Sequence, residues 1–232
     1  MPRMKTAPTN YFFNYGNFDE EIMKKLDSLE TPLNDLMRGI WVQPELRCLS
    51  RENKTRLDNL YRHLSSLPFD RIYSNYLSHP IRVTASYALV LGTTSYDDLA
   101  LAMCHNLKEA GFLAEFDQEN QFLNQSTKDR IMRLTIDRSR EKNANYLKCY
   151  YDDIKAHSKN LMILKALDKL DNIFWWVAFD LDTYHANIVL DFVCPRIKKI
   201  CPRLEEYLRT LVPYVLSPVV KEKFDKLNAR NH

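Results

Sequence analysis

The stretch 101–111, LAMCHNLKEAG, decides how the chain folds around its chemistry. It is apolar up to its middle and then sets Cys104, His105 and Asn106 in a row. Just upstream, Ser95 stands where a helix cap belongs and Asp97 and Asp98 fall in the first turn, where the helix dipole favours carboxylates. Gly111 is a natural stop. A helix here is apolar on nearly all sides before His105, which predicts a place at the centre of a fold. Its end is then either a metal corner set into a buried helix or a core helix that finishes in polar residues.

Helical spacing extends over most of the chain. SRENKTRLDNLYRHL, from Ser50, has a capping serine and apolar positions at Leu57, Leu60, Tyr61 and Leu64. HPIRVTASYALVLG opens with Pro80, suited to a first helical turn, and closes at Gly92. Further helices are expected in STKDRIMRLTID, REKNANYLKCYYDDIKAH, NLMILKALDKLDNIFWWVAF, around NIVLDFV, in PRLEEYLRTLV and in SPVVKEKFDKLN. Short alternating strands are hard to find, so the expected fold is all-α: one helical domain over residues 19–232, after an Asn-, Tyr- and Pro-rich arm over 1–18. The aromatic arm (Tyr11, Phe12, Phe13, Tyr15) and the C-terminal helical segment either cover the core or form a homodimer contact.

Composition narrows the chemistry. With 45% apolar residues, 232 residues can bury a sizeable core. A net charge of +3 is too small to imply a nucleic-acid or acidic-membrane partner, so no membrane and no nucleic acid is expected. Lys198, Lys199, Arg203 and Arg209 do cluster, but Glu205 and Glu206 interrupt them. No apolar run reaches membrane-spanning length, and the start MPRMKTAPTNYFF lacks the apolar core of a signal peptide. Five scattered cysteines point to free thiols in a reducing cytosol, so a cytoplasmic protein is expected. Four glycines in the whole chain exclude a glycine-rich phosphate cradle, and any nucleotide chemistry must use side chains and metals.

The informative residues are polar ones that interrupt apolar helices. His79 opens one helix, His105 and Asn106 sit in a second, and Asp168 lies within LKALDKLDNI. A buried carboxylate without a cation costs several kcal/mol, so two histidines and an aspartate from three helices could share a metal. Imidazole and carboxylate together suit iron, manganese or zinc. The plainer alternative is a solvated ion pair, because Lys165 and Lys169 flank Asp168 at i−3 and i+1.

The order His79-Pro80, then His105-Asn106 at the end of an apolar helix, then LKALDKLDNI (164–173) resembles the HD-domain metal-dependent phosphohydrolases. The nearest likeness is to the hydrolase domain of the RelA/SpoT family, which removes the 3′ pyrophosphate from the alarmone ppGpp. There a tyrosine precedes the first histidine as YxxHP, as Tyr76 precedes His79 here. The second motif, roughly HDxxED, corresponds to His105-Asn106-Leu107-Lys108-Glu109-Ala110, and the third, close to IKLADRLHNM, to residues 164–173. The likeness runs over about residues 55 to 180.

That resemblance implies metal ligation by His79, His105 and Asp168, with Asn106 in the place of the motif's metal-binding aspartate. It implies that Glu109 positions or activates the attacking water, that Asn172 contacts the nucleotide, and that Tyr76 lines the same pocket. Arg71 falls near a basic substrate-binding position, though the glycine-containing loop between is absent here. Arg71, Arg82, Lys108 or Lys169 could neutralise phosphate charge, or lie solvated on the surface. Two departures weaken the pattern: Asn106 gives a hard cation a neutral amide oxygen, and Ala110 removes an acid. Two functions follow from it. One is a metal-dependent hydrolase, manganese first, for a nucleotide or phosphorylated small molecule. The other is a catalytically degenerate module that binds a nucleotide or protein partner.

Overall fold

A computed structural model of the chain describes residues 33–41, 46, 49–68, 76–92, 95–118, 122–178, 183–218, 220 and 222. Among the described residues there is no strand, and the fold is all-α. In order come α1 (Leu33–Trp41), α2 (Arg51–Ser66), α3 (Ser78–Leu91), α4 (Tyr96–Cys104), α5 (Leu113–Gln118) and α6 (Gln125–Leu134). A 3-10 turn (Arg138–Arg140) leads to α7 (Ala144–His157), α8 (Lys159–Ala178), α9 (Thr183–Ile188), a π-helical turn (Val189–Val193), α10 (Cys194–Ile197) and α11 (Pro202–Val215). The arm over 1–18, the lead-in before 33 and most of SPVVKEKFDKLN lie outside the described residues.

Local sequence sets the helix ends. Ser50 caps α2 by accepting a hydrogen bond from the Asn53 amide at 3.1 Å, and Leu57, Leu60, Tyr61 and Leu64 form its buried face. The third helix begins at Ser78, so Pro80 falls inside its first turn, where a missing N–H costs nothing. It closes on Gly92 at φ 60°, the left-handed region that glycine enters without a steric penalty. Asn143 caps α7 through a 3.0 Å bond from the Tyr146 amide.

Two ends depart from expectation. Residue Asn124, two positions before the serine that opens STKDRIMRLTID, caps α6 through the Thr127 amide at 2.8 Å. And α4 stops at Cys104 instead of running to Gly111. Past it the chain tightens into turns, with the Leu107 amide bonded to the Cys104 carbonyl at 3.0 Å and the Gly111 amide to the Lys108 carbonyl at 3.1 Å. His105 is therefore the residue that ends the helix, and its side chain is buried.

Contacts cluster in two compact units, one holding the described residues up to Ile136 and the other those from Asp137 onward. In the first, α4 packs against α2, α3 and α6. Its Leu99, Ala100, Leu101, Ala102 and Cys104 are all fully buried, as a helix apolar on nearly all sides requires. In the second, α8 packs against α7, α10, α11 and the π turn, and buries Leu161, Met162, Leu164, Ala166, Leu167 and Ile173. The central helix of the first unit thus ends at His105, and that of the second carries Asp168.

Candidate metal centre

The packing of α3 on α4 brings His79 and His105 together in the first unit. Both are buried, and their Nε2 atoms lie 3.3 Å apart with the rings meeting edge to face. Nδ1 of His105 lies 2.6 Å from the Ala102 carbonyl oxygen. A carbonyl only accepts, so Nδ1 carries the proton and donates it there, and Nε2 presents a lone pair. A backbone carbonyl behind one ring nitrogen is the usual way a metal-ligating histidine is oriented.

Two structures of matter put imidazole nitrogens at that separation. One is an N–H···N hydrogen bond between neutral rings. The other is a shared cation: two nitrogens each about 2.0–2.1 Å from one tetrahedral ion stand roughly 3.3–3.4 Å apart. The 3.3 Å separation matches either arrangement.

Asp168 is buried in the second unit, as expected of a residue held inside the fold. Its Oδ2 pairs with Lys165 Nζ at 3.0 Å, and its Oδ1 accepts from Asn172 Nδ2 at 2.9 Å. The ion pair anticipated from spacing exists, but it is not solvated: both side chains are 3% exposed. Lys169 and Asp171 are buried on the same helix. Buried pairs of this kind lose several kcal/mol when one partner is removed, because the other is left as an uncompensated charge.

Tyr76 donates its hydroxyl to the Asn106 backbone carbonyl at 3.3 Å. Both line a hollow with Leu64, Leu77, Pro80, Met103 and Leu107 that is too tight for a water molecule and mainly apolar. Asn106 and Glu109 are half-buried and Lys108 is exposed. The Glu109 carboxylate accepts from the Ile136 amide at 3.4 Å. Arg71 lies outside the described residues.

Several buried polar groups escaped the sequence. Arg82 and Lys169, taken there as solvated or phosphate-facing cations, are 2% and 6% exposed. Tyr151 on α7 is fully buried, and burial pushes its hydroxyl well above the ordinary tyrosine range. The signal available for Arg82 was its position one turn after His79 on a helix otherwise free of charge.

Among the described residues, the buried His79, His105 and Asp168 are the set of ligand types that could bind a metal ion. No helix among them is long and apolar enough to cross a membrane. No protein-family model, curated protein or solved structure matches the chain.

Proposed function

We propose that His79, His105 and Asp168 hold one divalent cation, manganese first and iron or zinc as alternatives, in a metal-dependent phosphohydrolase. Its substrate is a nucleotide or similar phosphoester, as the resemblance to (p)ppGpp 3′-pyrophosphohydrolases implies. The observation that carries this reading is the buried histidine pair, with Nε2 atoms 3.3 Å apart and the His105 lone pair fixed by the Ala102 carbonyl. Mixed imidazole and carboxylate ligation suits these metals.

When bound, the cation supplies Lewis-acid polarisation of a phosphoryl oxygen and activation of water. The residues of the chain do the rest. Asn106 adds a neutral oxygen donor, at lower affinity than a carboxylate would give. Glu109, on the turns that follow α4, holds the attacking water and takes its proton. Tyr76 and Asn172 contact the substrate, and the exposed Lys108 neutralises phosphate charge.

Release of phosphate or pyrophosphate from ppGpp, nucleoside phosphates and phosphorylated metabolites by manganese-loaded protein tests this directly. Glu109→Gln and His79→Ala should each lower the rate by about 100-fold or more. Turnover unchanged in both variants would place the chemistry elsewhere.

A second reading has its own support. Glu109 is engaged by the Ile136 amide, Asn172 by Asp168, and the hollow beside Tyr76 admits no water. Groups that hydrolysis would need are occupied within the protein, which suits a non-catalytic module that binds a nucleotide or a protein partner. Metal-loaded protein that binds a nucleotide but turns over none of this panel would favour it.

A further inference from the structure

We propose that the Lys165 ammonium is the resident cation of Asp168 in the metal-free protein, and that it moves to the Tyr151 hydroxyl when a divalent ion takes the carboxylate. The inference rests on the metal reading above and deepens it, because it makes Lys165 a built-in competitor that sets the affinity of the centre.

The geometry of the second unit carries it. Lys165 Nζ lies 3.0 Å from Asp168 Oδ2, one turn back on the same helix, with both side chains 3% exposed. Asn172 holds the other oxygen, Oδ1. A metal using Oδ2 must therefore displace the ammonium. Two cations crowded against one buried carboxylate repel strongly where water cannot screen them. The lysine cannot simply withdraw to solvent, so it needs a second acceptor within reach of its flexible four-carbon stem.

Tyr151 provides one. It lies on α7, which packs against α8, and its buried hydroxyl has no hydrogen-bond partner among the described residues. A native buried hydroxyl left without a partner calls for a physical explanation, and a phenolic oxygen accepts from an ammonium. After burial, which pushes the Tyr151 hydroxyl up, nearby Lys165 is the strongest influence, and it acts in the opposite direction. Lys165 Nζ lies 6.0 Å from the centre of the Tyr150 ring, and that ring meets Tyr151 edge to face. An aromatic face thus flanks the ammonium, a setting in which a desolvated cation is tolerated.

Manganese titration calorimetry on the full chain tests the proposal, with wild type, Lys165→Gln, Tyr151→Phe, the double variant and Asp168→Asn, alongside melting curves in chelator. Lys165→Gln should bind manganese about tenfold tighter while the metal-free protein melts lower, the scale on which neighbours of metal ligands act. A lysine with a merely structural role would lower both. Tyr151→Phe should weaken binding about threefold in the wild-type background and have no effect once Lys165→Gln is present, because the two act as one unit. If Lys165→Gln fails to fold, Lys165→Met and the Tyr151→Phe arm decide the matter. Equal or weaker binding in the lysine variants, or the same Tyr151→Phe effect in both backgrounds, overturns the proposal. If Asp168→Asn loses the metal yet the lysine variants gain nothing, this inference alone fails. If neither wild type nor the lysine variants bind manganese, or Asp168→Asn binds as wild type does, the metal reading fails with it.

Discussion

At the scale of single residues, the proposed centre turns on which nitrogen of His105 carries the proton. Sequence marked His79, His105 and Asp168 because each interrupts an apolar helix, and all three are buried. It could not mark the Ala102 carbonyl behind Nδ1, since that contact depends on how the chain turns after Cys104. Nor could it mark Lys169 as buried, since a charge is visible in sequence and its partners are not, whereas Arg82 at least stands alone on an otherwise uncharged helix. Asn106, proposed as a neutral ligand, gives a prediction. Asn106→Asp should tighten manganese binding by about tenfold, since a carboxylate adds a full charge at a hard cation. A titration showing no gain would remove Asn106 from the ligand set. The thiols give another. Burial pushes the Cys104 thiol up, and pushes Cys194 up to about 11 despite the opposing Arg209. Thiolate is the reactive form, so a thiol reagent near pH 8 should label exposed Cys149 in the native protein and spare Cys104 and Cys194 until unfolding. Native labelling of Cys104, read by peptide mass, would show that α4 is not the buried element described.

At the scale of elements, helix positions were legible and some ends were not. Helical periodicity marks α2, α3, α7 and α8 because each buries a face or is buried all round. The end of α6 was harder, because Asn124 and Ser126 are both capable caps and lie two residues apart. A tertiary contact separates them: Asn124 Nδ2 also donates to Asp97 at 2.8 Å, which holds it in the capping position. The early stop of α4 is of the same kind, since tightened turns over 105–110 compete with a helix that local sequence would equally allow. Two substitutions measure these ends. Asn143→Ala should cost about 1 kcal/mol by removing the bond to the Tyr146 amide. Gly92→Ala should cost about 1–2 kcal/mol through its positive φ, since the position has open space and nothing for a methyl to strike. Urea unfolding reads both, and an unchanged midpoint in either would deny that end its role.

At the scale of the molecule, an all-α fold follows from helical spacing that is unbroken by alternating segments. The division into two compact units was not visible, because the chain passes from Ile136 to Asp137 through TIDRSREK with no glycine, proline or low-complexity linker. Which helices pack together is a property of contacts far apart in sequence, and composition carries no trace of it. Function at this scale reduces to one question, whether the protein takes up a metal at the histidine pair. Elemental mass spectrometry of manganese-loaded, chelator-free protein answers it, with His105→Ala as the partner sample and helical signal as the check on folding. The proposed centre should give close to one metal ion per chain in the wild type and none in the variant, with helicity retained. No metal in either protein, or equal metal in both, would contradict it.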